Sequence, residues 1–530
     1  MMTLHAVSPL DNTPLGSFTQ TQPEMLTQQM QKARVAANHW AAVTVAKRCQ
    51  QLAQINSVIM DNLDAICEVI SQTTGKVRTE ALLGEIYPVL DMVRYYQKNA
   101  AQILRYQSVA TSPFAFPSAT AGISRQPYGV VAVISPWNFP FQLSIVPMLT
   151  ALFAGNAVML KTSELSLPIG QLLLDLFKQL DLPDNLVQWV IGAGDIGAQL
   201  IDAAPDLVFF TGGLDTGRAV MQRAARHPIP VLLELGGKDA MLVCADAHLQ
   251  RACAAALYGA FSHSGQVCIA VERLYVEQSC HDEFLQHLLT ATAQLTIGHG
   301  AVGDLGAMTS ERQFAIVKAH YEDALAKGAR ASAPLERQGN YVRPVVLWQV
   351  KQDMRVMQEE TFGPLLPVMA FSDEADAVRL ANDSDFGLNA SIWSQDIAKA
   401  TRMAQQLHVG IWAINDVLKN AGHPALPFGG VKKSGFGRYH GAEGLRNFTY
   451  PVSGLTSRST FLQEPNWFPY SETRYQHFKG YLDFVHGTGS LYQRTRRNWQ
   501  ALQAFRAYSA FDLTQRWHNL KLWLSWQRDL

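Results

Sequence analysis

Gly129-Val130-Val131-Ala132-Val133-Ile134-Ser135-Pro136-Trp137-Asn138-Phe139-Pro140 decides how this chain folds. A short, unbroken run of β-branched and small apolar residues closed by Ser-Pro reads as a strand buried on both faces, as in parallel sheets. The sequence then alternates. Gln142 to Ala154 reads as a helix, Ala157 to Lys161 as a second strand and Pro168 to Leu180 as a second helix. Val187 to Ile191 and Leu207 to Phe210 supply two more strands. Strands alternating with helices predict an α/β domain built on a parallel sheet. Pro230 to Lys238 reads as the crossing into a second α/β unit that runs to about Gly437, with strands near Arg273–Val276, Val345–Trp348, Leu365–Phe371 and Ile411–Ile414. Upstream, Pro23 to Gln72 has the helical spacing of one or two surface helices, continued from Gly75 to Ala101. Ser108 to Ala121, rich in Ser, Thr, Pro and Phe, reads as an extended arm.

The 530 residues are 48% hydrophobic and 17% charged, with a formal net charge of zero. That length suffices for two or three domains with full cores. A balanced charge gives no footing for nucleic acid. The six cysteines (Cys49, Cys67, Cys244, Cys253, Cys268 and Cys280) form no CxxC pair, which suits a reducing compartment better than a disulfide framework. His299, His440 and the other histidines lack ligand spacing, so no metal site is expected. Met1 to Phe18 is polar, unlike a secretory signal, and no run of eighteen apolar residues is present. A cytoplasmic protein is expected.

Several short stretches carry chemistry. Ile191-Gly192-Ala193-Gly194-Asp195-Ile196-Gly197 spells GxGxxG after a strand. Phe210-Thr211-Gly212-Gly213-Leu214-Asp215-Thr216-Gly217 offers a second glycine turn. Either could aim backbone N–H groups and a helix start at a pyrophosphate, or simply turn the chain. Glu234, in Leu232-Leu233-Glu234-Leu235-Gly236-Gly237-Lys238, is a carboxylate inside an apolar strand, so it is paired, with Lys238 for instance, or functional. Asn138 sits between Pro136 and Pro140, which fix its backbone. Its amide suits an oxyanion donor or a turn cap. Lys161-Thr162-Ser163-Glu164 could hold a nucleotide ribose or form a helix cap. Phe261-Ser262-His263-Ser264-Gly265-Gln266-Val267-Cys268 places a thiol behind a Ser-Gly pair and ahead of an apolar run from Ile269 to Val276. That thiol could reach a cleft or be a buried structural cysteine.

Together with Glu359-Glu360-Thr361-Phe362-Gly363-Pro364 and Pro427-Phe428-Gly429-Gly430, these stretches resemble the aldehyde dehydrogenase superfamily in its own order, over about residues 20 to 457. The resemblance implies a Rossmann-like cofactor domain (1–105 and 125–236), an α/β catalytic domain (237–437) and a small β oligomerisation arm (106–124 and 438–457). It implies that Cys268 is the nucleophile, that Asn138 and the Cys268 backbone N–H stabilise the oxyanion, and that Glu234 activates water against a thioester. The pyrophosphate would lie at Thr211, Gly212, Gly213 and Gly217, leaving Gly192 to Gly197 as a neighbouring loop. Lys161, Ser163 and Glu164 would contact the adenosine ribose, Glu360 and Phe362 the nicotinamide ribose and ring. Ser135, Trp137 and Leu235 would complete the cofactor site. Glu164 favours NAD over NADP. The motifs from Asn415 to Gly441 look like the class 3 or fatty-aldehyde branch. The expected activity is oxidation of an aldehyde to its acid; the alternatives are a CoA-acylating enzyme and a non-catalytic binding protein of the same fold. The arm implies a homodimer.

Residues 458–530 lie beyond that resemblance. They form an aromatic-rich and mostly basic extension, with Leu513, Trp517, Leu520 and Leu524 on one helical face. A helical tail is expected, packed on protein or lying on a membrane surface.

Overall fold

The computed structural model describes residues 2–111, 116, 119–298, 303–459, 464, 466–507 and 521. The chain divides into two compact units, Met1–Leu104 with Pro127–Tyr450, and Arg105–Gln126 with Pro451–Leu530.

In the first unit, the expected strands come out as β1 Val130–Ile134, β2 Ala157–Lys161, β3 Val187–Trp189 and β4 Leu207–Thr211. A fifth, β5 Val231–Glu234, joins them. The stretch read as a crossing is therefore half strand: Glu234 ends the first sheet, and Leu235 to Lys238 make the transit. The parallel order is 5-4-1-2-3, and Gly435–Phe436 pairs antiparallel on the outer edge of β5. Helices α1 Gln142–Ala154, α2 Leu167–Phe177, α3 Gly194–Asp202 and α4 Leu214–Ala224 connect the strands. α1 is buried at every position from Leu143 to Ala154, so it has no solvent face.

The N-terminal segment is more than a pair of surface helices. It forms four helices, Pro23–Ala42, Val45–Ala53, Ile55–Asp61 and Leu63–Thr74. Leu26, Met30, Ala33, Ala37 and Trp40 bury one stripe at helical spacing in the core of the first sheet. Trp40 Nε1 donates to the Leu152 carbonyl at 2.8 Å, which ties this layer to α1.

The second sheet holds β6 Asp239–Val243, β7 Val271–Glu277, β8 Val345–Trp348, β9 Leu365–Phe371, β10 Asn389–Trp393 and β11 Ile411–Ile414. Its order is 8-9-7-6-10-11, all parallel, with a short antiparallel Arg330–Ala331 at the β8 edge. α5 Leu249–Phe261 joins β6 to the cysteine loop.

The second unit contains a three-stranded sheet in the order Thr449–Ser457, Ala119–Pro127, Gln107–Val109. The two ends of the expected extended arm are thus strand; residues 112–115 and 117–118 lie outside the described residues. Three helices follow: α6 Glu472–His486, α7 Leu491–Arg497 and α8 Trp499–Ala507. A Ser490/Gln493 capping box starts α7, and Arg494 donates to the Phe484 and Val485 carbonyls at the end of α6. The stripe from Leu513 to Leu524 lies outside the described residues. Among the described residues, no helix is long and apolar enough to cross a membrane.

Candidate active site

Four of the singled-out stretches leave the carboxyl ends of strands in the first sheet. Ser135–Pro140 follows β1, Lys161–Glu164 closes β2, Thr211–Gly217 closes β4 and Glu234–Lys238 closes β5. In open parallel sheets, ligands sit at that end, where the strand order reverses, here between β1 and β4.

On the nucleotide side, Gly213 is the N-cap of α4, and its missing Cβ would meet nothing within 4 Å. Gly212 N–H donates to the Glu234 carbonyl at 3.0 Å, pinning the turn to β5. A Cβ on Gly217 would lie 2.6 Å from the Leu235 side chain, so glycine lets α4 close on that strand exit. Thr211 Oγ1 is buried without a partner among the described residues. An open helix start beside an orphaned hydroxyl fits a pyrophosphate. Lys161 is buried, with Nζ 3.7 Å from the carboxylate of exposed Glu164. Burial holds the Lys161 ammonium below the usual lysine range, and Glu164 opposes that shift. Ser163 accepts the Leu165 N–H, so it does cap a turn. Ser144 donates to the Ser135 hydroxyl at 2.6 Å. A Cβ on Gly197, in the GxGxxG spelling, would lie 3.8 Å from the Lys161 stem, which makes that loop a neighbour of Lys161.

On the thiol side, His263, Ser264 and Gly265 are all left-handed, at φ 49°, 52° and 75°. Such conformations cost energy for residues with a Cβ and concentrate at functional sites. The His263 N–H is held by Glu80 at 2.7 Å. Cys268 is half-buried, while the other five cysteines are buried. Burial raises the Cys268 pKa, and Asp239, Glu360 and Glu234 raise it further. Glu234 is buried at the end of β5, paired across the ladder with Thr211 and Gly435. Its Oε2 has no partner among the described residues. Burial pushes its carboxyl well above the usual range, with only the Arg438 charge opposing. The pairing with Lys238 does not occur, because Lys238 Nζ lies 2.6 Å from Glu272 and 3.1 Å from the Thr361 hydroxyl. Asn138 is buried, and its amide Nδ2 donates to the Gln266 carbonyl, two residues before the thiol.

The second sheet closes the site. Glu360 accepts the Gly237 N–H at 3.0 Å and lies where a Cβ on Gly236 would stand. Burial and the Glu272 charge push Glu360 up to about 8. Phe362, at φ 52°, sets its ring edge-on to Trp137 with centroids 5.6 Å apart. Glu359 is exposed and pairs with Arg355 at 2.7 Å and His320 at 3.2 Å.

Sequence reasoning passed over Glu272, which accepts the Thr361 and Phe362 N–H groups at 2.8 and 2.7 Å and so carries the Glu360 loop. Its signal was present: a charge inside an apolar strand, as at Glu234. Lys76, Glu85 and Gln266 were also missed. Among the described residues, no group of three or more His, Cys, Asp or Glu could hold a metal.

The site thus joins a half-buried thiol, a carboxyl with no partner among the described residues and an amide donor beside a turn that fits a pyrophosphate, the parts that oxidation through a thioester needs. The profile of the aldehyde dehydrogenase family matches residues 2–453. The chain is 68% identical over 529 residues to the 4,4'-diapolycopene aldehyde oxidase of a Methylomonas species, covering 100% of both chains. It is 34% identical over 446 residues to a putative succinate-semialdehyde dehydrogenase [NADP(+)] of Mycolicibacterium smegmatis, covering 82% of this chain and 85% of the relative. The solved betaine aldehyde dehydrogenase of Staphylococcus aureus in complex with NAD+ superposes with a TM-score of 0.82 at 29% identity, over 88% of this chain and 94% of that one. An NAD-dependent aldehyde dehydrogenase of Sinorhizobium meliloti gives 0.83 at 30% identity, over 88% and 93%. With the order of its motifs, both sheets and its full-length relative in agreement, this chain belongs to the aldehyde dehydrogenase family and oxidises an aldehyde to the carboxylic acid with NAD(P).

Proposed function

We propose that the substrate is a long, apolar, conjugated aldehyde of the diapolycopene kind. The observation that carries this reading is the 68% identity, end to end, with a relative named for such a substrate. The resemblance of Asn415 to Gly441 to the fatty-aldehyde branch agrees, since both substrates present one aldehyde on a long apolar chain.

Cys268 is assigned as the nucleophile. Its thiol releases its proton to water, and its sulfur bonds to the aldehyde carbon as the carbonyl π bond breaks. The oxygen of that carbon becomes an oxyanion, which receives the Asn138 amide and the Cys268 backbone N–H; one such donor is worth about 10²–10³ in rate. NAD(P), when bound, supplies the hydride acceptor. Thr211, Gly212, Gly213 and Gly217 would hold its pyrophosphate, Lys161, Ser163 and Glu164 its adenosine ribose, and Glu360 and Phe362 its nicotinamide end, with Ser135, Trp137 and Leu235 as walls. Glu234 then takes a proton from water as the water attacks the thioester, and returns it to the Cys268 sulfur as the carbon–sulfur bond breaks and the acid leaves. Burial raises its pKa, which makes its carboxylate a stronger base than an exposed one. Glu164 favours NAD, because it would repel a 2′-phosphate.

The domain boundaries keep the assignment made from sequence: 1–105 and 125–236 for cofactor, 237–437 for catalysis, 106–124 and 438–457 for the arm. We assign the arm strands to a homodimer contact and the extension to a membrane surface, in an otherwise cytoplasmic protein.

The name of the full-length relative raises the question of where the electrons go. Turnover of a polyene aldehyde in detergent micelles, followed by absorbance of the reduced nicotinamide and by an oxygen electrode, decides it. The expected result is one NADH per acid formed, no oxygen uptake, a lower rate with NADP and no activity in Cys268→Ser. Oxygen uptake without NADH, or full activity in Cys268→Ser, overturns the assignment.

A further inference from the structure

The catalytic loop is gripped by a buried ion pair that the reaction itself does not use. Lys76 and Glu85 have no side-chain exposure, and Lys76 Nζ lies 2.5 Å from Glu85 Oε1. The same Nζ donates to the Asn138 carbonyl at 2.5 Å and stands 3.5 Å from the centre of the Phe139 ring. The other carboxylate oxygen of Glu85 accepts the Phe141 and Gln142 N–H groups at 2.8 and 3.2 Å. One ion pair thus fixes the backbone of residues 138 to 142 from both sides.

The grip continues to the thiol. Asn138 Nδ2 donates to the Gln266 carbonyl at 3.0 Å. Gln266 Oε1 accepts the Thr309 N–H at 3.0 Å, and the Thr309 hydroxyl donates to the Thr74 carbonyl at 2.9 Å. Thr74 Oγ1 in turn accepts the Lys76 N–H at 3.3 Å. The result is a closed ring of hydrogen bonds from Lys76 through Asn138, Gln266, Thr309 and Thr74 back to Lys76. Gly75, at φ 83°, makes the turn that aims Lys76 inward; a Cβ there would stand 2.7 Å from the Ala307 carbonyl.

Burying two charges is costly, and a packed apolar pair of equal volume is often as stable. An ion pair at this position therefore calls for a reason other than stability. We propose that Lys76 and Glu85 are positioning residues that set the Asn138 side-chain amide at the oxyanion, with Gln266 as the stop that fixes its direction. The proposal rests on the assignment of Asn138 as the oxyanion donor. An amide misplaced by about 1 Å costs on the order of 10²-fold in rate.

The test is a double-mutant cycle between Lys76→Met and Asn138→Ala in the full chain, with NADH binding as the control for folding. Asn138→Ala alone is expected to lower kcat about 10²–10³-fold. Lys76→Met alone is expected to lower kcat about 10- to 100-fold, with the aldehyde KM within about threefold. Added to Asn138→Ala, Lys76→Met should cost less than about threefold more, because its effect runs through the missing amide. Should Lys76→Met fail to fold, Glu85→Gln takes its place, since it keeps an acceptor for Phe141 and Gln142 while loosening Lys76. For that variant too, the kcat loss should vanish in the Asn138→Ala background. If Asn138→Ala lowers kcat and the second substitution still costs its full factor, the positioning role is wrong and the oxyanion assignment stands. If Asn138→Ala leaves kcat unchanged, the oxyanion assignment fails and the proposal falls with it.

Discussion

Cys268 shares its pocket with carboxyl groups that oppose its ionisation. Burial comes first, then Asp239, Glu360 and Glu234, and all raise the thiol pKa. Burial and the Glu272 charge push Glu360 up to about 8, so its charge acts on the thiol mainly above that pH. Alkylation by iodoacetamide, with no cofactor added, reads the thiolate directly. At pH 6.5 Glu360 is protonated, and Glu360→Gln should react at the wild-type rate. At pH 9 Glu360 is ionised, and its removal should speed alkylation about three- to tenfold, a shift of about half to one pKa unit. Equal rates at pH 9 would mean that Glu360 and the thiol do not sense one another. The same residues mark how far the sequence could be read. Glu234 stands out because a lone carboxylate interrupts Val231-Leu232-Leu233. Glu272 interrupts an equally apolar run but is followed by Arg273, and neighbouring opposite charges look self-satisfied. In the fold Arg273 turns away to the carbonyls of Lys238, Leu380 and Ala381, leaving Glu272 to Lys238 and the Thr361 loop.

Elements built from unbroken apolar runs were legible, because burial on both faces leaves no room for polar residues. β1 and β2 begin and end where composition places them. β6 and β10, both central in the second sheet, were not legible. Asp239 opens β6, and Asn389 and Ser391 interrupt β10, residues that ordinarily mark turns. Their polarity is absorbed locally: the Ser391 hydroxyl donates to the Asp416 carbonyl and accepts the Trp393 indole N–H, each at 2.7 Å. The Asp416 carbonyl lies 25 positions away and is invisible in a sequence reading, so polar residues that finish a buried strand look like residues that end one. The packing of α4 on the exit of β5 was likewise hidden, since the third glycine of a turn carries no sign of its neighbour. A methyl group on Gly217 must displace Leu235, which adjoins Glu234. Gly217→Ala is expected to cost about 1–3 kcal/mol in stability and to weaken NADH binding about tenfold or more as the start of α4 shifts. Calorimetry and NADH fluorescence titration check the two effects; unchanged binding would separate α4 from the cofactor.

At the scale of the whole molecule, the family profile stops at residue 453, while the relative named for diapolycopene aldehyde aligns over 100% of both chains, extension included. The extension also departs from the body in charge. Residues 458–530 carry ten Lys and Arg against five Asp and Glu in a chain of net zero, so the remainder is acidic by the same amount. Its described helices expose Tyr492 at 73% and Trp499 at 53%, and no residue of α6 or α7 is buried. Aromatic side chains beside uncompensated arginines suit the interface of an anionic bilayer, where each basic residue near the surface contributes about 1 kcal/mol. A long apolar aldehyde partitions into that same phase, so an enzyme held there meets its substrate without waiting for it to dissolve. The full chain should therefore sediment with vesicles of mixed phosphatidylglycerol and phosphatidylcholine and be released by salt. Tyr492→Ser and Trp499→Ser combined with Arg496→Glu should weaken that binding by about tenfold or more, as two apolar contacts and two units of favourable charge are lost. The same variant should keep its kcat/KM for a short, water-soluble aldehyde, because the substitutions lie outside the site, and should lose rate only on aldehyde supplied in vesicles. Undiminished sedimentation of the triple variant would exclude these helices as the membrane contact, and equal loss on both substrates would show that the substitutions damage the enzyme rather than its delivery route.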